Sequence, residues 1–137
     1  MPRFWSIITC SLLVAACAEE PKFRSTDITG VEYGSRLELN DPTGRVRRLE
    51  DFRGKAVVLF FGFTQCPDVC PTTLADISAS LKKLGEDAQR VQVLFVTVDP
   101  ERDTPKLLAE YVGAFDPRII ALRGDAAETQ RVAKEFK

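Results

Sequence analysis

The sequence has 137 residues and a hydrophobic content of 45%, which is enough material for one globular domain. Its formal net charge is -1 and no run of Lys or Arg stands out, so the composition does not favour nucleic-acid binding. The chain has no histidine, which excludes a Ser-His-Asp triad, a Cys-His pair and a His-based zinc site in these residues. Any metal or redox chemistry must therefore begin with the four cysteines.

Residues 1–16 predict a signal peptide. Arg3 supplies a positive charge, and residues 4–16 form an apolar stretch too short to span a bilayer as a helix. The stretch ends in LVAAC, where small residues precede Cys17 as in the lipobox of bacterial lipoprotein signals. We expect Cys17 to carry lipid as the first residue of the mature protein; an ordinary secretory signal is the alternative. Under both interpretations the domain is exported, and a disulfide can form in it.

A tether and a hairpin are predicted next. Residues 17–35 show weak periodicity and predict a linker, so the folded domain is expected over residues 36–137. An alternating stretch around Leu37 and Leu39 is followed by DPTG at residues 41–44, which is typical of a turn. We predict an antiparallel β-hairpin that covers one edge or end of a sheet.

Strands and helices then alternate along the chain. The order β-α-β-α-β-α predicts a mainly parallel central sheet flanked by helices, joined by right-handed crossovers. The wholly apolar run AVVLFF at residues 56–61 predicts a strand buried on both faces. The elements expected after it are a helix from Pro71 that ends at Gly85, a buried strand at 91–98, a helix capped by Thr104 with Pro105 first, a strand at 118–122 and a helix that opens at Gly124.

The last helical pattern continues to Lys137 without a Gly, Asn or Pro to end it. No further strand follows to cover the other edge of the sheet. We interpret this as a chain that stops inside its domain, with a fraying C-terminal helix as the alternative.

The motif CPDVCP at residues 66–71 follows the first predicted buried strand. Open α/β sheets place functional groups at the carboxyl ends of their strands, which favours a site here. A proline after each cysteine disfavours the right-handed helical region for Cys66 and Cys70, so the pair is expected in a loop or first turn. Pro71 is a suitable first helical residue, which puts Cys70 at the positive end of the helix dipole. That position is expected to lower the pKa of Cys70, whereas the nearby Asp68 carboxylate disfavours a second negative charge.

The spacing of Cys66 and Cys70 leaves several chemistries open. Three intervening residues allow the sulfurs to approach, so a reversible disulfide and a two-sulfur metal site are both possible. Two thiolates without carboxylates suit Cu(I), whereas structural zinc usually takes four protein ligands. A purely structural disulfide is the plainest alternative, but so short a loop constrains the unfolded chain little.

Longer blocks of the sequence resemble the Sco (SenC) family. They are FFGFT at residues 60–64 with CPDVCPTTL at 66–74, and VDPERDTP at 98–105 with FDPR at 115–118. The resemblance covers about residues 36–137. It implies a thioredoxin-like fold, a membrane tether, and copper held by two cysteines, here Cys66 and Cys70, with a downstream histidine that has no counterpart in this chain. It also implies a role in assembling the copper centre of cytochrome c oxidase.

The sequence thus predicts a copper-binding metallochaperone rather than a turnover enzyme. The partners expected from the resemblance are the copper-carrying subunit of cytochrome c oxidase or other copper chaperones. We expect a lipoprotein anchored through Cys17 on the extracytoplasmic, periplasmic side of a bacterial membrane. The alternative is an exported thiol-disulfide oxidoreductase that uses Cys66 and Cys70 without metal. A peroxiredoxin-like peroxidase is a third option, although Cys-x-x-x-Cys is not its usual arrangement. Asp99 and Asp103 are expected to cap and fix loops rather than to catalyse.

Overall fold

The computed structural model describes residues 30, 34 and 36–136. The signal segment predicted over residues 1–16, the lipid site at Cys17 and nearly all of the predicted linker lie outside the described residues. Among the helices that are described, none is both long and apolar enough to cross a bilayer.

An antiparallel hairpin opens the domain, as the sequence predicts. Strand β1 (Glu38–Asn40) pairs with β2 (Val46–Arg48). The turn between them uses Gly44 at φ +85°, a conformation that glycine adopts without strain. An antiparallel bridge between Asn40 and Arg123 joins the hairpin to the end of the main sheet.

In the described residues, the main sheet has three parallel strands in the order β3-β4-β5. They are β3 (Ala56–Gly62), β4 (Val91–Thr97) and β5 (Ile120–Leu122). The strand predicted to be buried on both faces is β3, but within the described residues it pairs only with β4, and Val58 is 39% exposed. The buried strand is β4, because both of its edges are paired and both of its faces are covered.

Three helices flank this sheet. They are α1 (Val69–Leu84), α2 (Pro105–Phe115) and α3 (Ala126–Glu135). Thr104 caps α2, since its Oγ1 accepts from the Leu107 amide at 3.2 Å. Asp125 and Glu128 form a reciprocal capping box on α3 with both bonds at 2.8 Å. Both starts agree with the sequence predictions.

Helix α1 begins two residues before the predicted start at Pro71. Asp68 is its N-cap residue, and the Asp68 carbonyl accepts from the Thr72 amide at 3.2 Å. Proline fits in this first turn because the first amides of a helix have no intrahelical acceptor. The helix ends before Gly85, as predicted, and a short 3-10 segment at Gly85–Arg90 leads into β4.

The core has two halves, one on each face of β4. Val93 and Phe95 pack with residues of α1 and α2, whereas Leu94 and Val96 pack with the hairpin and α3. Side chains of alternate residues in a strand point to opposite faces of the sheet, which explains why the core has two halves. The prediction of a mainly parallel sheet flanked by helices is therefore confirmed.

Candidate metal and redox site

The two cysteines lie at the carboxyl edge of the parallel sheet. Cys66 is in the loop after β3, and Cys70 is in the first turn of α1. Both are free thiols; Cys66 is partly exposed, whereas Cys70 is only 4% exposed. The Cys66 amide donates to the Phe63 carbonyl at 3.2 Å, which closes a tight turn at the strand end.

The two thiols differ in acidity. The Cys70 thiol donates a hydrogen bond to Cys66 and, with the backbone amides of Cys70, Asp68 and Val69, holds the pKa of Cys66 below its ordinary value. Burial raises the pKa of Cys70, and its hydrogen bond to Cys66 adds to the increase. Cys66 is therefore the thiol that ionises first.

The raised pKa of Cys70 contradicts the prediction that the helix dipole lowers it. Since α1 begins at Val69, Cys70 lies inside the first turn and its side chain enters the core. The free amides at the start of the helix donate instead to the sulfur of Cys66. Asp68 was expected to disfavour the thiolate through its carboxylate, but its backbone amide stabilises the Cys66 thiolate.

The sulfur of Cys70 packs against the end of β3. A β-carbon built on Gly62 would lie 3.1 Å from Cys70 Sγ, so the absence of a side chain makes room for the sulfur. The Phe63 amide donates a hydrogen bond to Cys70, which favours its thiolate form. Sequence reasoning did not identify Gly62, although a glycine at the end of an apolar strand is a sign of close approach.

Asp103 joins the cysteine loop to the end of β4. Its carboxylate is 1% exposed and accepts from Thr64 Oγ1 at 2.6 Å and Thr97 Oγ1 at 2.5 Å. The Thr64 amide also donates to both oxygens, at 3.2 and 3.3 Å. The prediction that Asp103 fixes a loop is confirmed; its two threonine partners were not predicted.

Asp99 also fixes this loop, as predicted. Its carboxylate accepts from the Arg102 guanidinium, and its carbonyl accepts from the Asp103 amide at 3.0 Å. The Asp99 amide donates to Thr97 Oγ1 at 3.0 Å. The loop after β4 therefore has a set of internal bonds that hold Asp103 in place.

Tyr111 of α2 belongs to the core half next to the cysteines. Its ring centre lies 5.7 Å from that of Phe95 and 5.4 Å from that of Phe115. Burial raises the pKa of Tyr111, and the negative charges of Cys70 and Cys66 raise it further. Its hydroxyl is buried and has no hydrogen-bond partner among the described residues.

In the described part of the chain, the soft donors available to a metal are the sulfurs of Cys66 and Cys70. Within residues 36–136, no group of three or more Cys, Asp or Glu side chains is arranged to hold a metal ion. Cys66 and Cys70 are close enough for a hydrogen bond between their side chains. Two adjacent soft donors suit Cu(I), which accepts low coordination numbers, better than hard cations.

Comparison with known proteins identifies the family. Residues 25–137 match the SCO1/SenC family. The chain belongs to this family. Over 103 residues it is 45% identical to the mitochondrial SCO2 homolog of Bos taurus, a match that covers 74% of this chain and 39% of the bovine protein. The chain thus spans well under half the length of that SCO1/SenC relative.

Solved structures of the SCO1/SenC family share the fold. ScoI of Bradyrhizobium japonicum, determined with copper bound, matches with a TM-score of 0.69 and 43% identity, over 73% of this chain and 64% of ScoI. BsSco, described as a cytochrome c oxidase assembly protein with a disulfide switch, matches with a TM-score of 0.63 and 27% identity, over 77% and 64% of the two chains. The domain therefore has the thioredoxin-like fold that the resemblance implied.

Proposed function

We propose that this protein binds copper through Cys66 and Cys70 and delivers it to, or prepares the thiols of, the copper centre of cytochrome c oxidase during assembly. The observation that carries the proposal is the adjacent thiol pair, in which the thiolate form of Cys66 is stabilised by the Cys70 thiol and by backbone amides. The copper-bound structure of the related ScoI and the assembly role stated for BsSco support the choice of cargo and partner.

The two sulfurs have different parts in copper binding. Cys66 gives up its proton more readily, because its pKa lies below the ordinary value. Cys70 keeps its proton more strongly, because burial raises its pKa, and it must lose that proton to bind Cu(I). Copper binding therefore releases protons, and the apparent affinity should rise with pH. Cys66 and Cys70 are the copper donors that these residues supply.

The test is a titration of the reduced protein with Cu(I) under anaerobic conditions, in competition with a coloured Cu(I) chelator. Cys66→Ser and Cys70→Ser should each bind copper far more weakly than the wild type, because each loses one of the two sulfur donors. Ser80→Ala is the control, since in the described part of the chain this exposed α1 hydroxyl bonds only to its own helix, at Asp76 O, 2.8 Å away. Equal copper affinity in the wild type and either cysteine variant refutes the proposal.

Thiol-disulfide exchange is the second candidate function. It is favoured by the partly exposed Cys66 of lowered pKa beside the buried Cys70 of raised pKa, a combination that suits an attacking and a resolving thiol. The Cys66 thiolate would attack a partner disulfide, forming a mixed disulfide and releasing one partner thiolate. Cys70, after losing its proton, would attack the sulfur of Cys66 and release the second partner thiolate. The partner disulfide is reduced, and the pair is oxidised to a disulfide.

This candidate is tested by reduction of insulin in the presence of a thiol reductant. Cys66→Ser should be inactive. Pre-reduced Cys70→Ser, mixed with insulin after the reductant has been removed, should accumulate a mixed disulfide with the partner, since the resolving thiol is missing. Wild-type turnover no faster than that of free dithiol counts against the oxidoreductase. Cu(I) titration of the same samples separates the two functions.

We also propose the membrane arrangement suggested by the sequence: a signal peptide over 1–16, lipid on Cys17, a linker over 17–35 and the domain over 36–137, on the periplasmic side of a bacterial membrane. Expression in a bacterium fed with a labelled fatty acid tests it. Cys17→Ser should abolish labelling, whereas Cys10→Ser should retain it, since Cys10 lies within the predicted signal peptide. Labelling of Cys17→Ser at the wild-type level would refute the anchor.

A further inference from the structure

We propose that Asp103 is a positioning residue for the cysteine pair, and that its carboxylate holds the peptide group from which both sulfurs take their placement. The proposal rests on Cys66 and Cys70 being the working site, whether for copper or for disulfide exchange. Asp103 touches neither sulfur through any hydrogen bond found in the described residues, so its effect must pass through the backbone.

The carboxylate of Asp103 is buried without a cation. It is 1% exposed, and no salt bridge involves it among the described residues. Its hydrogen-bond donors are the amide and hydroxyl of Thr64 and the hydroxyl of Thr97, at 2.5 to 3.3 Å. A buried carboxylate depends on such bonds, because leaving it unpartnered would be costly. Asp103 therefore keeps both threonines in one arrangement.

The link to Cys66 is a single peptide group. The Phe63–Thr64 peptide presents its N–H, at Thr64, to Asp103, and its C=O, at Phe63, to the Cys66 amide at 3.2 Å. A peptide group is planar, so holding the N–H fixes the direction of the C=O. Hydrogen bonds in such a chain also polarise one another. Asp103 thereby sets the turn that brings Cys66 to the first amides of α1.

The link to Cys70 is the Gly62–Phe63 peptide, which directly precedes the peptide that Asp103 holds. The Phe63 amide donates to Cys70, one residue before the amide that Asp103 holds. This end of β3 is also tied to the next strand, since the Val98 amide donates to the Gly62 carbonyl at 2.8 Å. The Asp103 carboxylate thus joins the end of β4 to the loop after β3, next to the backbone groups that contact Cys66 and Cys70.

Asp116 provides a matched control. It is also a buried aspartate, 4% exposed, and its carboxylate accepts from the backbone and guanidinium of Arg118 at 2.6 to 2.9 Å. It follows α2 and precedes β5, which places it at the amino edge of the sheet, opposite the cysteines. Asp116→Ala should lower stability without affecting the cysteine loop.

The experiment compares Asp103→Ala and Asp103→Asn with Asp116→Ala in the full, reduced chain. The rate of alkylation of Cys66 by iodoacetamide is measured by mass spectrometry near neutral pH and again well above the ordinary thiol pKa. We expect Asp103→Ala to react several-fold more slowly near neutral pH and at the wild-type rate at high pH, because it loses thiolate rather than access. Asp103→Asn should be less affected, since its amide oxygen can still accept from Thr64. Asp116→Ala should react as the wild type does, at equal or lower stability.

Copper affinity gives a second readout. Removal of a group that orients a metal ligand typically weakens binding by about tenfold or more, and Asp103→Ala should show this loss while Asp116→Ala does not. A wild type that binds no copper refutes the proposed copper function but leaves the alkylation result to decide the role of Asp103.

Two results overturn the proposal: identical alkylation in Asp103→Ala and wild type, or equal slowing in Asp103→Ala and Asp116→Ala. If Asp103→Ala does not fold, Thr97→Val takes its place, since it preserves side-chain shape while removing one donor to Asp103, together with the acceptor of the Asp99 amide. A folded Thr97→Val and a folded Asp103→Asn that both react at the wild-type rate would equally overturn the positioning role.

Discussion

The sulfur of Cys70 occupies space that a side chain at residue 62 would take. A β-carbon on Gly62 would be 3.1 Å from Cys70 Sγ and 2.8 Å from the ring of Phe95. The backbone of Gly62 is not in the left-handed region, so the glycine is needed here for room rather than for conformation. The placement of the buried Cys70 thiol therefore depends on Gly62, which has no side chain of its own.

Gly62→Ala should disturb both the core and the site. The added methyl group must push against Phe95 and Cys70, and overpacking of this kind costs about 1–3 kcal/mol of unfolding free energy. Urea unfolding measures the loss, and alkylation of Cys70 reports its displacement. Gly113→Ala on α2 is the control: outside its own helix backbone, no described atom lies within 4 Å of the place that a β-carbon would take, so it should gain about 0.5–1 kcal/mol of helix stability. A Gly62→Ala protein as stable as wild type would contradict this account.

The two cysteines should differ in reactivity. With limiting iodoacetamide near neutral pH, Cys66 should be alkylated several times faster than Cys70, because the Cys66 pKa is lowered and the Cys70 pKa is raised. Peptide mapping by mass spectrometry after short reaction times gives the two rates. In Cys66→Ser, Cys70 should still react slowly, because burial is the largest cause of its raised pKa. Equal rates, or faster alkylation of Cys70, would reverse the assignment.

Asp41 should make stability depend on pH in the acid range. Burial alone would raise its pKa, but bonds from Thr43 and Arg47 and from neighbouring amides lower the pKa from 3.8 to about 2. The folded pKa is therefore below the unfolded one, so the stabilisation is present above about pH 4 and is lost as the pH falls towards 2. Asp41→Asn should unfold more easily than wild type near neutral pH by up to about 2 kcal/mol.

Urea unfolding at several pH values tests this prediction for Asp41. The difference between wild type and Asp41→Asn should shrink as the pH is lowered through this range. Asp51→Asn is the control, because among the described residues this exposed carboxylate accepts only one backbone bond, from Arg48 at 3.1 Å. A difference that stays constant down to the lowest pH at which the protein remains folded would show that the carboxylate charge is not responsible.

Removal of the Tyr111 hydroxyl should not destabilise the domain. The hydroxyl is buried without a partner in the described part of the chain, so Tyr111→Phe should gain about 1 kcal/mol of unfolding free energy. Tyr111→Leu should instead lose stability, since it removes the ring that packs against Phe95 and Phe115. Thermal and urea unfolding compare the three proteins. A loss in Tyr111→Phe as large as that in Tyr111→Leu would mean that the hydroxyl makes a stabilising bond.

Much of the local structure followed from the sequence, because each signal depends on a few neighbouring residues. Thr104 before Pro105 predicted the start of α2, and Gly85 predicted the end of α1. The start of α1 was placed two residues late, since Pro71 is compatible with several positions in a first turn. The cysteine pair was also located correctly at the end of a parallel strand.

The sequence by itself thus determined the order of the elements, the family and the pair of sulfurs. Only the tertiary structure decided which sulfur is activated and what holds it. The low pKa of Cys66 depends first on the hydrogen bond from the Cys70 thiol and then on backbone amides at the start of α1, and the raised pKa of Cys70 depends first on burial. The bond from Thr64 to Asp103 joins residues 39 positions apart, which become neighbours only when β3 and β4 pair. Burial and contacts between distant residues are properties of packed strands, and no local pattern records them.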